Sequence, residues 1–175
     1  MKLKPMDAHI KHIANTASAM MSAARTAPKA HGYDKLEALC LTGEEKNVLA
    51  EEMRRIGSVT CQDFIVRDAG NVDASLAIVL LGTRNEAYGM DCGWCGAESC
   101  AKAMETGTLC FFASHDLGLA VGSAVSIAAD MRVDCRVMFS AGLAAKEMGL
   151  FEHPVQAAIG IPISITEKSP YFDRG

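Results

Sequence analysis

The chain has 175 residues, half of them hydrophobic but only 6% aromatic, and a net charge of −4. At this length one domain covering residues 1–175 is expected, with a core of Ala, Val, Ile, Leu and Met that buries roughly 70% of the unfolded surface. Charges of both signs are interspersed and leave no electrostatic footprint for nucleic acid or an anionic membrane, so neither is an expected partner.

The stretch Met1-Lys2-Leu3-Lys4-Pro5-Met6-Asp7 lacks the apolar core of a signal peptide. The longest fully apolar run, Leu76–Leu81, is far short of the roughly 18 residues a membrane helix needs. A soluble, cytoplasmic protein is expected. Its seven cysteines then point to metal, cluster or redox chemistry, because structural disulfides are rare in a reducing compartment. Cys40, Cys61 and Cys135 are scattered singles and read as buried small hydrophobes.

Asp7 is placed to cap a first helix that runs toward Thr26, with Ile10, Ile13, Ala17, Met20, Met21 and Ala24 on one face. Pro28 stops it. His9 and His12 lie about one turn apart there, a metal-binding spacing without a cysteine nearby, and read as a solvated face. Thr42-Gly43-Glu44-Glu45 has the form of a capping box and opens a helix to Ile56, with Gly57 as the stop. A short helix over Gln62–Val66 and a turn at Asp68–Asn71 follow. Ala74–Leu81 is the best strand, apolar apart from Ser75 and hence buried on both faces. Gly82 ends it, and Thr83–Met90 is a polar loop.

Ala97–Thr106 is expected to be helical, and Leu109–Phe112 a short strand. Ser114 or Asp116 caps a long helix to about Met131, on which Gly118, Gly122 and Ser126 fall four apart on one face. Such a face admits close approach of another backbone, either in a tightly packed core or across a dimer. Asp134–Phe139 reads as a strand, Ser140–Met148 as a helix, and Gln156–Ile165 as a last strand that tolerates Pro162 at an exposed edge. Thr166–Gly175 reads as a polar surface arm. Helices around a modest sheet define an α+β fold.

The chemistry sits in residues 91–110. Cys92, Cys95, Cys100 and Cys110 follow a C-x2-C-x4-C-x9-C pattern, with Gly93 and Gly96 directly after the first two. An iron–sulfur cluster needs three or four thiolates, unhindered backbone amides near the sulfides, and shielding from water, which Trp94 is placed to give. Four-thiolate zinc is the main rival, although the nine-residue gap before Cys110 departs from paired zinc knuckles. Cys92-Gly93-Trp94-Cys95 also has the form of a redox dithiol, which wants its first cysteine at a helix start directly after a strand. His115 is an alternative fourth ligand, or an ordinary residue near a helix start.

Asp91-Cys92-Gly93-x-Cys95-Gly96-x-x-x-Cys100 resembles the cluster motif of the iron–sulfur subunit of acetyl-CoA decarbonylase complexes, whose fourth cysteine lies further downstream. Over nearly its whole length the chain resembles a ferredoxin-domain family of anaerobic bacteria and archaea noted for four cysteines. That resemblance implies a [4Fe–4S] cluster on Cys92, Cys95, Cys100 and Cys110.

A second resemblance covers both ends. Ala23-Ala24-Arg25-Thr26-Ala27-Pro28-Lys29-Ala30 is similar to the A-A-R-x-A-P-S-A segment of FMN-dependent nitroreductases, which leads into a loop against the flavin. Asp116-Leu117-Gly118 resembles the start of that family's central helix, Val155–Ile165 its last strand, and Lys168 with Arg174 its basic tail. The resemblance implies a nitroreductase-like fold, a homodimer, and FMN with Arg25, Lys29, Lys168 and Arg174 near its phosphate. The arginine-rich R-R-S-x-R clamp of those enzymes is missing, and Lys29 replaces a serine. The expected function is an iron–sulfur redox protein of nitroreductase-like type, serving a redox partner protein. The alternative is a zinc-stapled, non-catalytic binding module.

Overall fold

A computed structural model describes residues 4–172 of the chain. Arg174 lies outside the described residues. Six α-helices and four strands are found among them: α1 (Pro5–Thr26), β1 (Leu36–Thr42), α2 (Gly43–Thr60), α3 (Asp63–Asp73), β2 (Ala77–Arg84), α4 (Cys100–Thr106), α5 (Phe111–Asp130), β3 (Asp134–Cys135), α6 (Phe139–Glu147) and β4 (Val155–Ser164). The strands form one antiparallel sheet in the order β1-β2-β4-β3.

Strand alternation divides the core in two. Ile78 and Leu80 of β2 face α2, α3 and α6, where Leu49, Met53, Ile65, Val72, Ala141 and Ala145 are fully buried. Ala77, Val79 and Leu81 face the other way, onto Ile13, Ala17 and Met20 of α1 and Ala120, Ala124 and Ala128 of α5. β2 is therefore buried on both faces, as its continuous apolar run predicts. The alanine stripe lets α5 lie close to α1 and the sheet. Gly142 does the same for α6: a Cβ there would sit 2.0 Å from the Ala158 carbonyl oxygen of β4.

Several sequence expectations are corrected. β1 was not expected, yet it pairs along its whole length with β2, from Leu36 opposite Thr83 to Thr42 opposite Ala77. β2 continues through Gly82 to Arg84. α2 passes Gly57 and ends at Thr60, with Cys61 left-handed after it; Gly57 serves packing instead, since a Cβ would meet Val66 Cγ2 at 2.8 Å. Thr42 occupies the N-cap position of α2 but its side chain makes no capping bond. The short helix and turn over residues 62–71 are one helix, α3. Leu109–Phe112 is not a strand, because α5 already begins at Phe111 with Cys110 in the N-cap position.

Pro162 lies in an inner strand. Its carbonyl accepts from the Arg136 N–H at 3.4 Å, so its imide side faces the two-residue β3, and the β2 ladder keeps its donors. His12 Nε2 donates to the Met131 carbonyl at 2.8 Å, at the C-terminus of α5. By length and composition α5 could cross a membrane, the one such helix among the described residues. Its alanine face is instead packed in the core. Gly118 and Gly122 point away from that face, and a Cβ on either meets nothing within 4 Å. The tightly packed reading of these glycines therefore fails within the chain.

Candidate metal centre

The cysteine segment leaves the end of β2, turns outward and returns through α4 to the start of α5. Asp91 and Cys100 close the turn reciprocally. The Asp91 N–H donates to Cys100 Sγ at 3.4 Å, and the Cys100 N–H donates to Asp91 Oδ1 at 2.6 Å. Between them Gly93 and Gly96 take φ of 71° and 81°, a left-handed geometry that glycine adopts without strain. The Gly96 N–H donates to the Gly93 carbonyl at 2.9 Å, folding Cys92 and Cys95 onto one tight bend.

α4 starts at Cys100, three residues later than Ala97, because Ser99 is its cap and accepts from the Lys102 N–H. Cys110 takes the N-cap position of the 20-residue α5 and is 7% exposed. Cys92 is exposed, and Cys95 and Cys100 are half-buried. Two cysteines thus sit at helix starts. No three of the cysteine sulfurs approach within 4.8 Å of one another among the described residues. Tetrahedral zinc, with Zn–S near 2.3 Å, would bring four thiolates to within about 4 Å of one another. Four cysteine thiols are a donor set that either centre takes.

The rival ligands are placed elsewhere. Cys61 ends α2 and Cys135 lies in β3, its thiol pushed up by burial and by Asp134. Cys40 is a β1 thiol that burial raises to about 11. His115 is half-exposed, with Nδ1 3.6 Å from Asp116 Oδ1. Trp94 does not close over the loop from inside. It is 66% exposed and leans on Phe111 and Phe112, with ring centroids 5.0 and 5.6 Å away.

Sequence reasoning missed the frame that holds this segment. Asp116 was read as a cap, yet it is buried and accepts from the Ala30 N–H at 3.0 Å and the Tyr88 hydroxyl at 2.6 Å. Lys35 Nζ lies 3.8 Å over the Tyr88 ring and donates to the Glu86 and Ala87 carbonyls. Burial, then the Asp116 bond, raises the Tyr88 phenol far above its ordinary range. Met104 Sδ accepts from the Ala87 N–H, and Gln156 Nε2 donates to the Gly107 carbonyl. The start of the loop is thereby fastened to α5 and α4, and the end of α4 to β4. An acid that follows a helix start was the available signal, but its partner Ala30 is 86 residues away.

Of the basic residues implied for a flavin phosphate, Arg25 and Lys29 are engaged within the chain. Arg25 donates to Asp34 at 2.6 Å and to the Leu36 carbonyl. Lys29 donates to the carbonyls of Ala24, Arg25 and Ala27, closing the end of α1. Neither cavity that Lys29 lines includes Lys168. An apolar cavity of about 450 Å³ lies between α5, α6 and β4, lined by Leu117, Gly118, Val121, Phe139 and Leu143 among others.

The α+β fold is nitroreductase-like. The nitroreductase CinD from Lactococcus lactis, in complex with chloramphenicol, aligns with TM-score 0.62 at 14% identity, covering 89% of this chain and 79% of that one. An oxidoreductase containing FMN aligns with TM-score 0.60 at 12% identity, covering 88% and 67%. NfrA2 of B. megaterium aligns at 0.58 and 10% identity, covering 89% of this chain, which spans only 58% of that protein's length. An uncharacterized protein of Archaeoglobus fulgidus is 40% identical over 164 residues, covering 89% of this chain and 88% of its own. Residues 106–174 match the family described as uncharacterized protein containing a ferredoxin domain (DUF2148). The chain belongs to that ferredoxin-domain family.

Proposed function

We propose that the protein is an iron–sulfur redox protein in which Cys92, Cys95, Cys100 and Cys110 hold a [4Fe–4S] cluster. The observation that carries this reading is the Asp91–Cys100 exchange, which closes a ten-residue turn on three thiols and two left-handed glycines. A bound cluster supplies one-electron chemistry. The chain's own residues orient and tune it. The Asp91 N–H donates to a ligand sulfur, the kind of contact that sets cluster potential. Cys100 and Cys110 stand at the starts of α4 and α5, and burial keeps water from Cys110.

A flavin is the second reading, favoured by the apolar cavity beside α5, whose volume suits a planar ring system. Arg25 and Lys29 are committed to Asp34 and to backbone carbonyls, so no electron step is assigned to FMN. A homodimer is proposed through the open Gly118/Gly122 side of α5, and a cytoplasmic setting suits seven unpaired thiols. Anaerobically purified protein should be brown and bleach with dithionite, and each of the four Cys→Ser variants should lose colour. Heat-released flavin fluorescence tests FMN separately. Colourless protein with bound zinc favours the adaptor-module alternative.

A further inference from the structure

We propose that the surface around Trp94 docks an electron-transfer protein whose redox group is ringed by lysines or arginines; this rests on the cluster reading above. Trp94 is the chain's single tryptophan and lies 66% exposed, with Phe111 38% exposed beside it. Phe112 and His115 extend the patch: His115 stands 6.1 Å from the Phe111 ring and 6.4 Å from that of Phe112. Exposed tryptophan at the centre of an aromatic patch is the composition of a binding hot spot.

The patch grows from the cluster-ligand segments themselves. Trp94 lies between Cys92 and Cys95, and Phe111 directly follows Cys110. A partner seated on these rings would stand against the segments whose Cys92, Cys95 and Cys110 would hold the cluster.

Charge decides the partner. From Tyr88 to Ser114 the chain has three carboxylates, Asp91, Glu98 and Glu105, against one cation, Lys102. Lys102 is already paired with Glu105 at 3.0 Å. Among the described residues Asp91 and Glu98 form no ion pair, and Lys29, which lines a cavity with Phe112 and His115, is held by three carbonyls at the end of α1. An acidic rim about an apolar centre attracts a basic rim and speeds encounter at low salt. Gly118 and Gly122 lie further along the same α5 face as Phe111 and His115, so a two-fold contact there leaves the Trp94 patch at its end, and Asp91 and Glu98 oppose extending that contact over it. Small, transient contact is usual for redox encounters, below about 1,200 Å². The transfer moves one electron and no atoms: the reduced cluster loses one and the partner's oxidised group gains one.

The test is calorimetric titration of the anaerobic full chain with a lysine-rich c-type cytochrome as probe, and with an acidic flavodoxin-type carrier as control. Iron is assayed on the same samples. The basic probe should bind, and raising salt from about 20 to about 200 mM should weaken it at least about tenfold. Trp94→Ala should weaken it by about tenfold with iron content unchanged, Trp94→Phe should restore most of the affinity, and Glu98→Lys should weaken it about fivefold. Single reversals at the remote, exposed Glu51 and Glu167 should change it less than about twofold. Equal binding of the acidic carrier, indifference to Trp94→Ala, or self-association abolished by Trp94→Ala would each overturn the proposal. Wild-type protein without iron overturns the cluster reading instead, which the iron assay registers separately from binding.

Discussion

Asp91 and Cys100 hold each other across the cysteine turn, one through a backbone N–H on sulfur and the other through a backbone N–H on carboxylate. The pair makes Asp91 as much a part of the centre as the thiols. Asp91 also stands at φ 44°, a conformation that Asp and Asn accept better than other side chains.

Asp91→Asn keeps an acceptor and the left-handed backbone, so cluster retention should stay near wild type. Asp91→Ala loses the acceptor and strains the turn. Resistance of bound iron to a chelator should fall by about 10–100-fold, the usual effect of removing an outer partner of a metal ligand. Equal loss in both variants would show that charge, not hydrogen bonding, is what matters.

The second test concerns the frame. Asp116→Ala leaves the Tyr88 hydroxyl and the Ala30 N–H without their acceptor in a buried place. A destabilisation of about 1–3 kcal/mol is expected, read as a lower Tm together with faster proteolysis between Arg84 and Asp91. An unchanged Tm would mean that water replaces the carboxylate freely.

The cysteine turn was legible as a turn because Gly93, Gly96 and Asp91 are all local in the chain. The helices α1 and α5 were legible from their apolar faces. β1 was not, since Leu36-Glu37-Ala38-Leu39-Cys40-Leu41-Thr42 mixes helix formers with strand formers and is fixed only by its pairing with β2. Asp116 was misread, and the contacts of Lys29 were not foreseen, for the same reason. Their roles depend on which carbonyl or N–H the fold brings to them, and side-chain type alone does not encode that.

Alkaline pH supplies a third test. The buried Tyr171 hydroxyl lies 3.0 Å from Ser75 Oγ, and burial pushes its ionisation up to about 12. The unfolded phenol ionises near 10, so above that pH the unfolded chain binds fewer protons than the native one. Stability should therefore fall as pH rises from about 10 to about 12, by at most about 1.4 kcal/mol per pH unit for this one proton. Tyr171→Phe should flatten that part of the profile; an unaltered slope would assign it to other groups.

The open side of α5 gives a test whose sign is informative. Gly118→Ala and Gly122→Ala meet nothing within the chain. In a monomer each should raise stability by about 0.5–1 kcal/mol through helix propensity. If a second copy packs closely there, the same changes should instead weaken dimerisation in sedimentation and lower Tm. Larger residues such as Gly122→Leu should then give a folded monomer.

The central claim is the cluster on Cys92, Cys95, Cys100 and Cys110, and metal analysis of anaerobically purified protein tests it most directly. About four iron and four acid-labile sulfide per chain are expected, with iron falling sharply in Cys110→Ser. One zinc per chain with neither iron nor sulfide would contradict it.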